Sequence, residues 1–141
     1  MNATKAEAIE AIKTLREYIP RSELNAIVDA MRGEEKQFFF DKSVEMARII
    51  QNMPKTYEQD GKGKQAIAYL HYFRGDADWY ITEKDAETPE EPGQSQAFGL
   101  ADLGYGGELG YISIVELVSA GVELDLYFEP KTLAEIEDAR R

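Results

Sequence analysis

The sequence predicts an α+β fold: an N-terminal layer of about three helices, then a mainly antiparallel sheet of four to five strands with two short helices. Three observations predict it. Apolar residues recur at helical spacing as far as Met53. Beyond the polar, glycine-containing connector 55–64, the spacing changes to two. Ser/Thr-x-x-Glu pairs mark helix starts on both sides of that connector.

Thr4 and Glu7 form the first capping box, and Ile9, Ile12, Leu15 and Ile19 follow until Pro20 ends the helix. Ser22 can cap a second helix, whose stripe is Leu24, Ile27, Val28 and Met31 and whose end is Gly33. A third helix is predicted from about Glu34 to Met53, with Phe38, Phe39, Phe40, Val44, Ala47 and Ile50 on its buried side and Pro54 closing it. The Phe38-Phe39-Phe40 run is wider than one stripe and reads as core.

Gln65–Phe73 reads as a strand, Arg74-Gly75-Asp76 as a turn and Ala77–Glu83 as the returning strand of a hairpin. On that second strand Ala77, Trp79 and Ile81 share one face, and Asp78, Tyr80 and Thr82 the other. Residues 84–94 form an acidic loop with Pro89, Pro92 and Gly93, and Ala97–Leu103 is a third strand. Gly104, Gly106, Gly107 and Gly110 surround a tight segment that ends in a short strand at Tyr111–Ile112. Ser113 and Glu116 start a short helix that stops at Gly121. Val122–Phe128 alternates strictly, with Glu123, Asp125, Tyr127 and Glu129 on its polar side. Thr132 and Glu135 start a last helix running to Arg141, where Arg140 and Arg141 suit the helix dipole. The division is a helical segment, 1–54, and an α+β domain, 65–141, folded as one compact unit.

The net charge of −11 lies wholly in the second half. Residues 1–64 carry 11 Lys/Arg and 11 Asp/Glu, whereas residues 65–141 carry 5 and 16. A pI near 4.6 argues against direct nucleic-acid binding, because phosphate contacts need cations. The chain has no cysteine, which excludes disulfides, zinc–thiolate centres and cysteine nucleophiles. The charged N-terminus lacks the apolar core of a signal peptide, and no stretch reaches the roughly 20 apolar residues of a membrane span. The expectation is a cytoplasmic protein that does not engage membranes.

No catalytic signature emerges, and no pattern names a cofactor or a metal. His71, the only histidine, lies mid-strand among aromatics and reads as structural. Asp76, Asp78, Glu83 and Asp85 crowd the hairpin, and with Asp102 they offer hard oxygen ligands for Mg²⁺ or Ca²⁺ or an acid/base pair. Their spacing matches no known metal loop, so a solvated surface is the simpler reading. The glycines at 99–110 lack the Gly-Lys-Ser/Thr of a phosphate loop. Arg74-Gly75-Asp76 is only a turn, and Ser113 is a helix cap with no base placed to activate it. Glu123, Asp125, Tyr127 and Glu129 share a strand face; joined to Asp78 and Tyr80, they would form a broad acidic-aromatic surface for a basic protein.

The second half also resembles a known family. The ordered series is His71-Tyr72-Phe73, Asp78-Trp79-Tyr80-Ile81-Thr82-Glu83, residues 97–104 (AFGLADLG), residues 108–117 (ELGYISIVEL) and residues 124–130 (LDLYFEP). It is similar to the family known as domain of unknown function 2958, over roughly residues 66–136. That resemblance implies an accessory protein of plasmids, phages or prophages. It supplies no catalytic residues.

The expected function is therefore a non-enzymatic interaction module of a mobile element, a DNA mimic or an inhibitor of a basic host factor. Its partner-binding residues would be Asp78, Tyr80, Glu123, Asp125, Tyr127 and Glu129. The alternatives are a metal-dependent enzyme built on the clustered carboxylates and a homo-oligomeric structural module.

Overall fold

The computed structural model describes residues 1–140 and shows the α+β architecture. Arg141, expected to complete the last helix, lies outside the described residues. Three helices come first: α1 (Lys5–Leu15), α2 (Arg21–Ala30) and α3 (Lys36–Asn52). The Thr4/Glu7 capping box is complete in both directions, at 3.1 and 2.9 Å. The buried side of α1 is Ala8, Ala11 and Leu15; of the expected stripe Leu15 and Ile19 are buried and Ile12 packs on the core, while Ile9 is 52% exposed. Small side chains let the backbones of α1 and α3 approach, so alanines take the place expected of isoleucine. Helix α2 starts directly after Pro20, and Ser22 lies inside its first turn instead of capping it. Of the phenylalanine run only Phe40 is buried; Phe38 is exposed and stacks on Tyr127 at 6.2 Å.

The predicted strand at 65–73 is two strands in two sheets. Strand β1 (Ile67–Ala68) pairs with a late strand, Lys131–Thr132, while β2 (Leu70–Arg74) enters the main sheet. Strands β3 (Ala77–Glu83), β4 (Ala97–Asp102), β5 (Gly107–Ile112) and β6 (Glu123–Leu124) complete an antiparallel sheet of order β5-β4-β3-β2-β6. Strand β5 is longer than the expected Tyr111–Ile112. Strand β6 is shorter than the expected 122–128. After it, Asp125 Oδ1 accepts the Tyr127 amide at 2.9 Å and turns the chain out of the extended path. Helix α4 (Ile114–Ser119) joins β5 to β6, and Lys131–Thr132 (β7) leads into α5 (Leu133–Ala139). Thr132 and Glu135 form the second complete capping box; Ser113 caps α4 in one direction only.

The sheet's two faces differ. The first turns Leu70, Tyr72, Ile81, Ala97 and Ile112 onto the helices, so the N-terminal layer and the sheet share one core. Buried Tyr72 donates its hydroxyl to the Tyr18 carbonyl at 2.6 Å. The second face carries a small cluster, Tyr80 and Leu100 under Leu133 and Ile136 of α5, with Ala66 and Ala68 beside them. Helix α5 is two turns long and leaves both ends of this face uncovered.

Candidate functional site

The chemistry gathers on the second face, at either end of α5. At one end, His71 on β2 stands between two carboxylates. Its Nδ1 is 3.0 Å from Asp125 Oδ2, and its Nε2 is 2.7 Å from Asp78 Oδ1. The ring lies flat on Tyr80, with centroids 4.5 Å apart and planes 6° from parallel. Arg140 follows α5; its guanidinium is 2.5 Å from Asp102 Oδ2 and 3.7 Å from Asp78 Oδ2. The amides of Gly104 and Gly106, then Arg140, hold the Asp102 carboxyl below its ordinary range. Burial, then the Asp78 charge, pushes the Tyr80 phenol up. Both imidazole nitrogens lie within hydrogen-bond distance of a carboxylate oxygen. This arrangement joins β2, β3, β4, the residue after β6 and the end of α5 through hydrogen bonds and opposite charges.

At the other end lies a cavity of ≈ 380 Å³ between the sheet and the connector. A β-bulge shapes it. Ile81 pairs with Gly99, but the next registered pair is Glu83 with Phe98, so Thr82 is the extra residue. In unbroken alternation Glu83 would follow Ile81 into the helix-packed core; the bulge turns it to the second face instead. Gly99 is required for that close pairing, since a Cβ there would sit 1.9 Å from the Tyr80 carbonyl oxygen. Glu83, only 4% exposed, accepts the Tyr57 amide, and Thr82 Oγ1 lies 3.3 Å from its Oε2. Tyr57 adopts φ +81°, strained for a residue with a side chain. Gln59 anchors the connector by donating to the Ile67 and Thr82 carbonyls at 2.9 and 2.8 Å. Phe98, Leu109, Ala66 and Leu133 supply apolar walls. Tyr57 and Tyr111 meet hydroxyl to hydroxyl at 2.5 Å on the exposed side.

Of the six residues expected to face a partner, the structure brings Asp78, Tyr80 and Asp125 together around His71, with Tyr80 only 7% exposed. Glu123, Tyr127 and Glu129 are exposed near the β6 edge, and Tyr127 stacks on Phe38. Phe73 pairs with both Asp78 and Glu123, so Glu123 shares the second face with Asp78, Tyr80 and Asp125 as expected, while the Asp125 turn carries Tyr127 and Glu129 off the strand. The carboxylates weighed as a metal centre also separate. Asp76 sits exposed in the hairpin turn, Asp85 accepts the Gln96 amide at 3.0 Å in the acidic loop, and Asp102 pairs with Arg140. Among the described residues no three His, Cys, Asp or Glu side chains are placed to hold a metal ion, and no helix is long and apolar enough to cross a membrane. The cavity was not foreseen. Its one sequence trace is Gly99, a glycine inside the apolar run Ala97–Ala101.

The fold defines the class as an α+β protein with an antiparallel sheet backed by helices. The chain belongs to the family described as protein of unknown function DUF2958, whose model matches residues 42–137. The match begins inside α3, well before the stretch at 66–136 that carried the resemblance, so the family domain includes most of the helix that backs the sheet. No curated protein and no solved structure matches the chain.

Proposed function

We propose that this protein is a non-enzymatic interaction module of a mobile genetic element, and that it docks a basic segment of a partner protein along β5. The observation that carries this reading is the state of that strand. β5 ends the sheet, and among the described residues only β4 pairs with it, which leaves its outer row of backbone groups open. Natural edges are blunted by charged side chains, lysine above all, by proline or by a cover; residues 107–112 (GELGYI) hold a single charge, Glu108, and no lysine or proline. Leu109 and Tyr111 are exposed on it, and Tyr105 at the preceding turn is 97% exposed. An added strand would gain main-chain hydrogen bonds and cover these side chains.

Charge selects the partner's sign. Between residues 85 and 130 the chain has ten Asp/Glu and no Lys or Arg. Docking a basic factor on such a surface is also how a DNA mimic or inhibitor of that factor acts. The phage, prophage or plasmid setting in a bacterial cytoplasm is what the family resemblance implies.

The test is capture of a partner from host lysate, with and without phage infection, comparing variants at low and high salt. The double variant Tyr105→Lys/Glu108→Lys should abolish capture. Glu123→Lys/Glu129→Lys, at the opposite edge, should retain it. Capture indifferent to the first pair, or a chain that sediments as a dimer closed through β5, contradicts the reading.

A further inference from the structure

We propose that the cavity over Glu83 receives an arginine side chain of the docked segment, an inference that rests on the docking reading and names its chemistry. The bulge turns a buried carboxylate toward a half-open cavity and leaves it without a cation. Among the described residues no Lys or Arg lies within ion-pair distance of Glu83, and none lines the cavity. The Tyr57 amide donates to the carboxylate, and the single Thr82 hydroxyl proton is shared between Glu83 Oε2 at 3.3 Å and the Phe98 carbonyl at 3.1 Å. A carboxylate has about four acceptor positions, so at least two remain. A buried carboxylate lacking a counter-charge is costly, and an incoming cation that hydrogen-bonds it offsets part of that cost.

The other walls narrow the ligand. The Gln59 amide is committed to the backbone at Ile67 and Thr82. The single Thr56 hydroxyl proton is shared between the Lys84 and Gln96 carbonyls at 3.1 and 2.8 Å. Asp60, also on the wall, repeats the negative sign. The remainder is Phe98, Leu109, Leu133 and Ala66. A planar guanidinium on an apolar stem meets all of this: two parallel donors for the carboxylate, a face to stack on the Phe98 ring, and methylenes for the aliphatic wall. The cavity also communicates with the docking edge. Leu109 belongs to both, and the Tyr57–Tyr111 hydrogen bond ties the connector that lines the cavity to β5.

The experiment is titration of the isotopically labelled full chain, followed by backbone amide shifts. The first probe is N-acetyl-arginine-N-methylamide; the second is the pentapeptide Ac-Thr-Val-Arg-Val-Thr-NH₂. Citrulline versions of both serve as uncharged isosteres. The arginine probe should shift Tyr57, Gly61 and Gly63, and the pentapeptide should add shifts across residues 107–112. Citrulline should weaken either probe at least tenfold, as should Glu83→Gln, which keeps an acceptor for the Tyr57 amide. Leu109→Trp, at the exposed mouth, should block the cavity with no fall in melting temperature.

Equal affinity for arginine and citrulline, or no cavity shifts, overturns the arginine site. If β5 still responds to both pentapeptides, docking survives that result. Cavity shifts from the single-residue probe, with no response of β5 to the pentapeptide, reverse the outcome: the cation site stands and the docked segment falls.

Discussion

The two faces of this sheet are made by the same strands and have opposite fates. The first packs on α1, α3 and α4 and is almost wholly apolar, with Ile81 at its centre. The second has only α5 and a two-residue ladder over it, and it holds the histidine cluster and the Glu83 cavity. Alternation along a strand therefore decides only which residues share a face. What a face does depends on the area of the element laid over it, and a helix of two turns leaves room for chemistry at both ends.

Removing Ile81, fully buried on the first face, should have the largest effect. Ile81→Ala is expected to cost about 4 kcal/mol in denaturant unfolding, against about 2 for Leu100→Ala in the thinner second-face cluster. Equal losses would erase the distinction. Gly99→Ala should come next, at about 3 kcal/mol, because the added carbon collides with the Tyr80 carbonyl and must undo the bulge. It should also abolish the response to the arginine probe, which Ile81→Val should leave intact.

His71→Phe should cost about 2 kcal/mol by leaving Asp78 and Asp125 without the imidazole that both contact. Adding Asp125→Asn should recover part of that loss in a double-mutant cycle. Additive losses would mean that the imidazole serves only as a ring beneath Tyr80.

The smallest expected effect concerns Glu23, whose carboxylate accepts the Leu124 amide at 2.8 Å and so ties α2 to β6. Burial pushes this carboxyl up to about 7 from 4.5. Folding then takes up a proton between those values. The contribution is complete below pH 4.5 and is lost as pH rises through about 7. Glu23→Gln should raise the melting temperature at pH 8, by less than about 1 kcal/mol in stability after solvent screening, and leave it unchanged at pH 4.5. Stabilisation that is the same at both pH values would refute the linkage.

The fold class was legible because the spacing changes once, after residue 64, and because Thr4/Glu7 and Thr132/Glu135 announce their helices. The elements that misled share a cause: a local interaction overrode a regular pattern. Asp125 captures the Tyr127 amide and ends an alternation that reads as seven residues of strand. Alanines displace Ile9 from the α1–α3 contact because closeness outweighs side-chain size there. Asp78 and Asp125 are expected from the sequence only as two of six residues on one surface; His71, on the strand between them, joins them through a pairing that only register supplies. Glu83 was hidden because a bulge adds one residue and changes its face without altering composition.

Amide hydrogen exchange with and without a captured partner tests the central claim most directly. The account predicts new protection across β5, Gly107–Ile112, and in the connector at Tyr57–Gly63, with the helices of the first face unchanged. Protection confined to β6 and residues 125–129, or to the helices, would contradict it.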